Sequence, residues 1–114
     1  MDYDDQNIFA QILHGEIPAD KVYENEDVLA FRDVQPQAPV HILVIPKHPL
    51  ASLADARDGA VLGELMLAVG EIARQEGFAD DGFRVVINNG QRANQTVFHL
   101  HMHLVGGRQL KGLG

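Results

Sequence analysis

A row of three alternating histidines constrains the fold of this chain more than any other feature. His99, His101 and His103 are separated by single apolar residues, which is the side-chain period of an extended strand. On a strand the three imidazoles share one face, roughly 6.6 Å apart at ~3.3 Å of rise per residue. Residues 96–105 are therefore predicted to form a strand, with a flexible glycine pair just beyond. Its other face carries the apolar residues Phe98, Leu100, Met102 and Leu104.

The remaining periodicities predict strands interleaved with helices. Asn7 is a capping residue before apolar positions at helical spacing, which predicts a short helix over 7–14. A longer helix is predicted from about 59 to 77, with Leu65 and Met66 in its apolar stripe. Further strands are predicted at 21–25, 28–34, 40–45 and 83–87. The run 40–45 is apolar on both faces, which favours a central, buried strand. We expect one α+β domain over residues 1–114 with a mainly antiparallel sheet.

Composition limits the classes of partner. A formal net charge of −7 argues against nucleic acid, whose binding depends on cationic contacts to phosphate. The chain has no cysteine, so disulfides and thiolate metal sites are excluded. No apolar run approaches the ~20 residues that span a bilayer, and the acidic first residues do not resemble a signal peptide. We expect a cytoplasmic protein with no membrane partner, and a small anionic ligand stays compatible with the local imidazoles.

Three interpretations of the histidine row compete. Metal binding is the first, because His-x-His on a strand can bring two nitrogens to one zinc ion. His99 and His103 lie ~13 Å apart on a straight strand, so His41 or a carboxylate would have to complete the ligand set. A packed, structural role is the second, and His99, beside the preceding loop, is its best candidate.

Acid–base or nucleophilic catalysis is the third interpretation. An imidazole with a pKa near 6.5 can act as a neutral nucleophile or as a general acid. The lead-in residues Asn94, Gln95 and Thr96 offer amide and hydroxyl donors, and the glycines at 106 and 107 permit close approach of a ligand. A phosphate ester requires this combination of donors and an activated nitrogen.

The motif His-Leu-His-Met-His-Leu-Val at 99–105 resembles the His-φ-His-φ-His-φ-φ signature of the histidine triad superfamily. Further blocks resemble its Hint branch, namely residues 8–9, 15–19, 29–34, 36–39, 41–47 and 94–99. The resemblance implies a five-stranded antiparallel sheet with two helices, which pairs into a ten-stranded sheet in a homodimer. It implies hydrolysis or nucleotidyl transfer on purine nucleoside 5′-phosphoramidates and related adenylates. We expect no cofactor and assign no residue to a metal site.

The resemblance also implies roles for single residues. His101 would attack the α-phosphorus and form a nucleotidyl-histidine intermediate, and His103 would contact the phosphate oxygens. His41 and His99 would form a buried relay behind the nucleophile, and Asp33 would bind the ribose hydroxyls. The purine would be enclosed by Ile8, Phe9, Ile12 and Phe31. The nucleotide phosphate would lie near the donors Asn88, Asn94, Gln95 and Thr96.

The same residues also allow other interpretations. Without the resemblance, the apolar residues would be interpreted as core, Asp33 as a strand-end cap and Asn88 as part of a turn. Dinucleoside polyphosphate hydrolysis is the alternative reaction, and a nucleotide-binding or interaction module is the alternative class. Asn94 and Thr96 replace the glycine and serine usual in the Hint branch. The tail also lacks a tryptophan that some relatives have, so the leaving group is not predicted.

Overall fold

A five-stranded antiparallel sheet organises the structure. The computed structural model describes residues 2–113, so both ends of the predicted domain, residues 1 and 114, lie outside the described residues. The strands are β1 (Lys21–Glu24), β2 (Val28–Arg32), β3 (Val40–Pro46), β4 (Phe83–Val86) and β5 (Met102–Gly106). The helices are α1 (Ile8–Leu13) and α2 (Gly59–Gln75), and two short 3-10 turns cover Leu53–Asp55 and Gln91–Ala93. The strand order is β1-β2-β3-β5-β4, which confirms the predicted α+β class.

Strand β3 lies at the centre of the sheet, as predicted. It pairs with β2 on one side and with β5 on the other, both antiparallel. Successive side chains of a strand point to opposite faces, and here each face has its own apolar core. One core contains Ile42 and Val44 and packs against α2. The other contains Leu43 and Ile45 and packs against α1.

Both helices begin at side-chain caps. Asn7 Oδ1 accepts a hydrogen bond from the Ala10 N–H at 2.9 Å, so α1 begins where the sequence predicts. Asp58 caps α2 in the same way through the N–H of Ala60, and such a cap contributes about 1 kcal/mol. The expectation that Met66 belongs to the buried stripe of α2 is wrong, because Met66 is 53% exposed. No helix within residues 2–113 is both long and apolar enough to cross a bilayer.

The predicted histidine strand is shorter than expected. β5 begins at Met102, so His99 and His101 precede the strand and only His103 belongs to it. The segment leaves the sheet because Leu100 N–H donates to the carbonyl of Leu50 at 2.7 Å and not to a neighbouring strand. The alternation of faces nevertheless persists. Leu100, Met102 and Leu104 of the predicted apolar face lie in the α2-side core, whereas Phe98 is only half-buried and belongs to neither core.

Gly107→Ala tests how closely the end of β5 approaches the loop before β3. Gly107 has φ +89°, and an added Cβ would lie 2.9 Å from Pro39 Cβ. We expect urea denaturation to show a loss of about 2–4 kcal/mol in unfolding free energy, because left-handed strain adds to overpacking. Gly82→Ala is the control, since Gly82 has φ +103° but nothing within 4 Å of an added Cβ. Equal losses in the two variants would contradict the close approach.

Candidate active site

A cleft of about 370 Å³ opens on the side of the sheet that faces α1. Helix α1, the end of β2 and the histidine segment supply its walls. The structure brings eight of the predicted site residues together there: Ile8, Phe9, Ile12, Phe31, Asp33, Thr96, His101 and His103. Ile17, Leu43 and Val97 also line it. These three were not predicted as site residues, since an apolar residue in a sequence has no feature that distinguishes cleft wall from core.

The apolar end of the cleft is built around Phe9. Its ring meets Phe31 edge-on at 5.5 Å between centroids and meets His101 edge-on at 4.9 Å. Phe9 and Phe31 are buried, whereas Ile8 is 47% exposed. Phe9 and Phe31 are therefore core residues that also form the cleft wall, and Ile8 presents apolar surface at its mouth.

A single hydrogen bond fixes the proton on His101. His101 Nδ1 lies 2.8 Å from the carbonyl oxygen of His99, and a carbonyl can only accept, so Nδ1 carries the proton. Burial lowers the pKa of His101 below its ordinary value, and the bond to that carbonyl offsets part of this effect. The ring is therefore neutral at pH 7. Its Nε2 keeps a free lone pair, which suits a nucleophile or a general base.

His41 fixes the proton on His103 in the same manner. The N–H of Gln37 donates to His41 Nδ1 at 3.0 Å, so the His41 proton lies on Nε2. That Nε2 is 3.0 Å from His103 Nδ1 and donates to it. Burial is the largest cause that lowers the pKa of His103 to about 4, and the nearby His101 and His41 rings add to the effect. His103 is thus a neutral ring whose proton is on Nε2, the nitrogen suited to donate to an oxygen.

His99 is separate from His41, contrary to the expected relay between them. His99 Nε2 donates to the carbonyl of Pro46 at 2.8 Å, and its Nδ1 lies 2.6 Å from the hydroxyl of Tyr3. His99 is completely buried. Both ring nitrogens of each histidine thus have other partners, and the relay is corrected to two independent supports. Tyr3 was not predicted as a partner of His99, because it lies 96 positions away and belongs to no motif.

Asp33 both caps the end of a strand and faces the cleft. Its Oδ1 accepts from the N–H of Gln35 at 2.8 Å, which is the strand-end cap. Its Oδ2 lies 3.4 Å from His41 Nε2, and the residue lines the cleft. A carboxylate oxygen therefore remains beside the histidines, where hydroxyl groups of a ligand can donate to it.

The predicted phosphate loop divides into three kinds of residue. Thr96 lines the cleft, whereas Asn88 lines a neighbouring hollow of about 250 Å³ together with His41 and His103. Asn94 is exposed and left-handed at φ 66°, ends the turn Gln91–Ala93 and does not line the cleft.

Gln95 holds this loop in place and does not face the cleft. Its Oε1 accepts from the Gly90 N–H, and its Nε2 donates to the carbonyls of Ala51 and Val97. The side chain is buried, and both ends of its amide are already bonded. The expected donation from this side chain to a nucleotide is therefore corrected to a structural role.

Comparison with known proteins agrees with this geometry. The profile of the HIT domain matches residues 14–110. The chain belongs to the HIT family. The purine nucleoside phosphoramidase of Escherichia coli is 44% identical over 108 residues, which cover 93% of this chain and 91% of that protein. A HIT-like protein of Synechococcus elongatus is 58% identical over 108 residues, 93% of this chain and 94% of its own length. The structure of a histidine triad protein from Clostridium difficile superposes with TM-score 0.91 at 42% identity, covering 100% of both chains.

The protonation of His41 disfavours a metal ion at the one group of possible metal ligands found within residues 2–113. Potential ligand atoms of Asp33, His41 and His103 lie within 4.8 Å of one another, which is the group that the metal interpretation needs. A histidine ligand must present a bare nitrogen to the ion. His41 Nε2 carries a proton, because its Nδ1 accepts from the N–H of Gln37. An ion bound at Nε2 would force that proton onto Nδ1, where the His41 N–H and the Gln37 N–H would point at each other without an acceptor.

Acid should destabilise this HIT protein before its carboxylates titrate. The pKa values of His99, His101 and His103 are lowered from 6.5 in the folded chain, so below that pH the unfolded chain binds more protons. The contribution of these three histidines to stability is therefore present at neutral pH and is lost as the pH falls. We expect the unfolding free energy from urea denaturation to decrease between about pH 7 and pH 5.

The control for this prediction is His14→Gln, which removes an exposed histidine and should leave the slope of stability against pH unchanged. A stability that stays constant over this range would contradict neutral, buried rings.

Proposed function

We propose that this protein is a hydrolase of the Hint branch that cleaves the P–N bond of purine nucleoside 5′-phosphoramidates and related adenylates. One observation carries the proposal: His101 lines the cleft with its proton held on Nδ1 by the His99 carbonyl. The bare Nε2 is a nucleophile that needs no separate base. The 44% identical Escherichia coli relative, a purine nucleoside phosphoramidase, supports the substrate class.

The first step transfers the nucleotidyl group to the protein. His101 Nε2 attacks the α-phosphorus, the P–N bond to the leaving group breaks, and the amine departs with a proton taken from water. The attack places positive charge on the imidazole, which the Nδ1–H bond to the His99 carbonyl stabilises. The developing charge on the phosphoryl oxygens is met by the Nε2–H of His103 and by the hydroxyl of Thr96.

The second step returns the protein to its starting state. Water attacks the phosphorus, the bond from phosphorus to His101 Nε2 breaks, and the nucleoside monophosphate leaves. The proton of the water passes to solvent, so Nε2 again has a free lone pair. In this scheme Asp33 accepts hydrogen bonds from the ribose hydroxyls. The apolar wall built on Phe9 and Phe31 packs against the purine.

The charge around the cleft supports a substrate with one phosphate. Among the described lining residues, Arg32 alone has a permanent positive charge. Its guanidinium is already engaged, with Nη2 2.7 Å from Glu76 and Nε 3.7 Å from Asp20. Neutral imidazoles can donate to the oxygens of one phosphate, whereas a polyphosphate needs cations to offset its charge. Phosphoramidate cleavage is therefore favoured over dinucleoside polyphosphate hydrolysis.

His101→Ala tests the proposed nucleophile. We expect amine release from adenosine 5′-phosphoramidate to fall by at least ~10³-fold in kcat, as when a covalent nucleophile is removed. His48→Ala is the matched control, since His48 is an exposed histidine that does not line the cleft. Retention of most activity by His101→Ala would contradict the mechanism.

The same assay separates the alternatives. A higher kcat/KM for adenosine 5′-phosphoramidate than for a dinucleoside polyphosphate is expected. The reverse order would favour the alternative reaction. Tight binding of AMP with negligible turnover of phosphoramidates, acyl-adenylates and dinucleoside polyphosphates would favour the nucleotide-binding module.

We also propose that two copies pair through β4 into a ten-stranded sheet. β4 is an edge strand, whose unpaired backbone groups offer a template for a second copy. Exposed apolar side chains at Phe83 on β4 and at Met66 and Leu67 on α2 support an interface on this part of the surface.

Light scattering after size exclusion tests the dimer. The wild-type mass is expected at twice the 12.5 kDa of one chain, and Leu67→Glu is expected to reduce it to one chain, because a buried unpaired charge opposes association. Val34→Glu is the control, since Val34 is an apolar residue 94% exposed and distant in sequence from α2 and β4. A monomeric wild type would contradict the proposal.

A further inference from the structure

We infer that Tyr3 is a positioning residue of the active site, which acts on His101 through His99. The inference rests on the proposed function in that His101 is the nucleophile. It adds a residue that lies before residues 14–110, the part of the chain that matches the HIT domain. The N-terminal segment thus supports the histidines as well as supplying the apolar wall of the cleft through Ile8, Phe9 and Ile12.

The contact between Tyr3 and His99 is close and specific. The Tyr3 hydroxyl lies 2.6 Å from His99 Nδ1, and the two rings meet edge-on with centroids 5.6 Å apart. Tyr3 is half-buried, whereas the neighbouring residues Asp2, Asp4 and Asp5 are exposed. The segment therefore turns this one side chain inward, toward the histidine behind the nucleophile.

The direction of the hydrogen bond is fixed by the other side of the ring. His99 Nε2 lies 2.8 Å from the carbonyl of Pro46, so Nε2 carries the single proton of the neutral ring. Nδ1 is therefore an acceptor and the Tyr3 hydroxyl is the donor. Because His99 is completely buried, removal of the hydroxyl takes away the hydrogen-bond donor that its Nδ1 has in the structure, and an unsatisfied buried acceptor is costly.

Tyr3 reaches His101 through the main chain of His99. The His99 carbonyl accepts the Nδ1–H of His101 at 2.8 Å. Tyr3 and Pro46 anchor the side chain of the same residue from opposite ring nitrogens. Loss of one anchor lets His99 shift and takes the acceptor of His101 with it. Tyr3 itself does not line the cleft, so its removal should slow the chemical step and leave substrate binding unchanged.

Tyr3→Phe removes only the hydroxyl and is the decisive variant. With adenosine 5′-phosphoramidate we expect kcat to fall about tenfold, equivalent to about 1.4 kcal/mol, while KM stays within about twofold. Tyr23→Phe is the matched control, because the Tyr23 hydroxyl accepts only an exposed hydrogen bond from Asn25 in β1 and its connecting turn and should leave kcat unchanged. An unchanged kcat in Tyr3→Phe, or a loss confined to KM, would overturn the inference.

Nitrogen-15 NMR of the histidine rings tests the inference without any turnover. In the wild type, His99 should show a protonated Nε2 and a hydrogen-bonded, unprotonated Nδ1. In Tyr3→Phe the Nδ1 resonance should move to that of a free acceptor, and in Tyr23→Phe it should not move. The opposite tautomer in the wild type, or no movement in Tyr3→Phe, would overturn the inference. A wild type without phosphoramidase activity but with these signals would refute the proposed function alone.

Discussion

The hydrogen bond from His101 Nδ1 to the His99 carbonyl is the constraint on which the candidate site depends. In a regular strand, the carbonyl of residue 99 would be directed at a neighbouring strand and would be unavailable to a ring two positions later. The chain instead enters the sheet only at Met102, after Leu100 has bonded to Leu50. The interruption of the sheet thus frees the carbonyl that orients the ring. Burial, to which the contact with Phe9 contributes, lowers the pKa of the same ring and keeps it neutral.

The four histidines of the site have the same side chain but differ in which ring nitrogen is protonated and in what holds that proton. Each has one proton, and each proton is placed by a fixed partner: a carbonyl for His99 and His101, an amide N–H for His41, and a neighbouring ring for His103. Burial lowers the pKa values of His99, His101 and His103 and so opposes a second proton on these three rings. The four imidazoles thereby take different roles. His101 presents an acceptor nitrogen and His103 a donor nitrogen to the same cleft, and His99 and His41 support them.

Much of this arrangement could be predicted from the sequence. Alternation and apolar runs predicted the sheet, the central position of β3 and the apolar face of the histidine segment, because burial periodicity is local. The end of β5 at Met102 could not be predicted, since it depends on a tertiary bond to Leu50. The partners of His99 and the buried amide of Gln95 were missed for the same reason. Hydrogen bonds between distant segments leave no periodic pattern in the sequence. A side chain that only supports another residue belongs to no recognisable motif.

The atoms that place the protons on His41, His99 and His101 belong to the main chain: the N–H of Gln37 and the carbonyls of Pro46 and His99. Every amino acid has a carbonyl, and every one except proline has an N–H. The path of the backbone therefore determines which ring nitrogens are protonated. The side chain at position 37 can be replaced without changing the protonation of the rings in the cleft. Proline at that position is the exception, since it removes the N–H donor that fixes the protons of His41 and, through it, of His103.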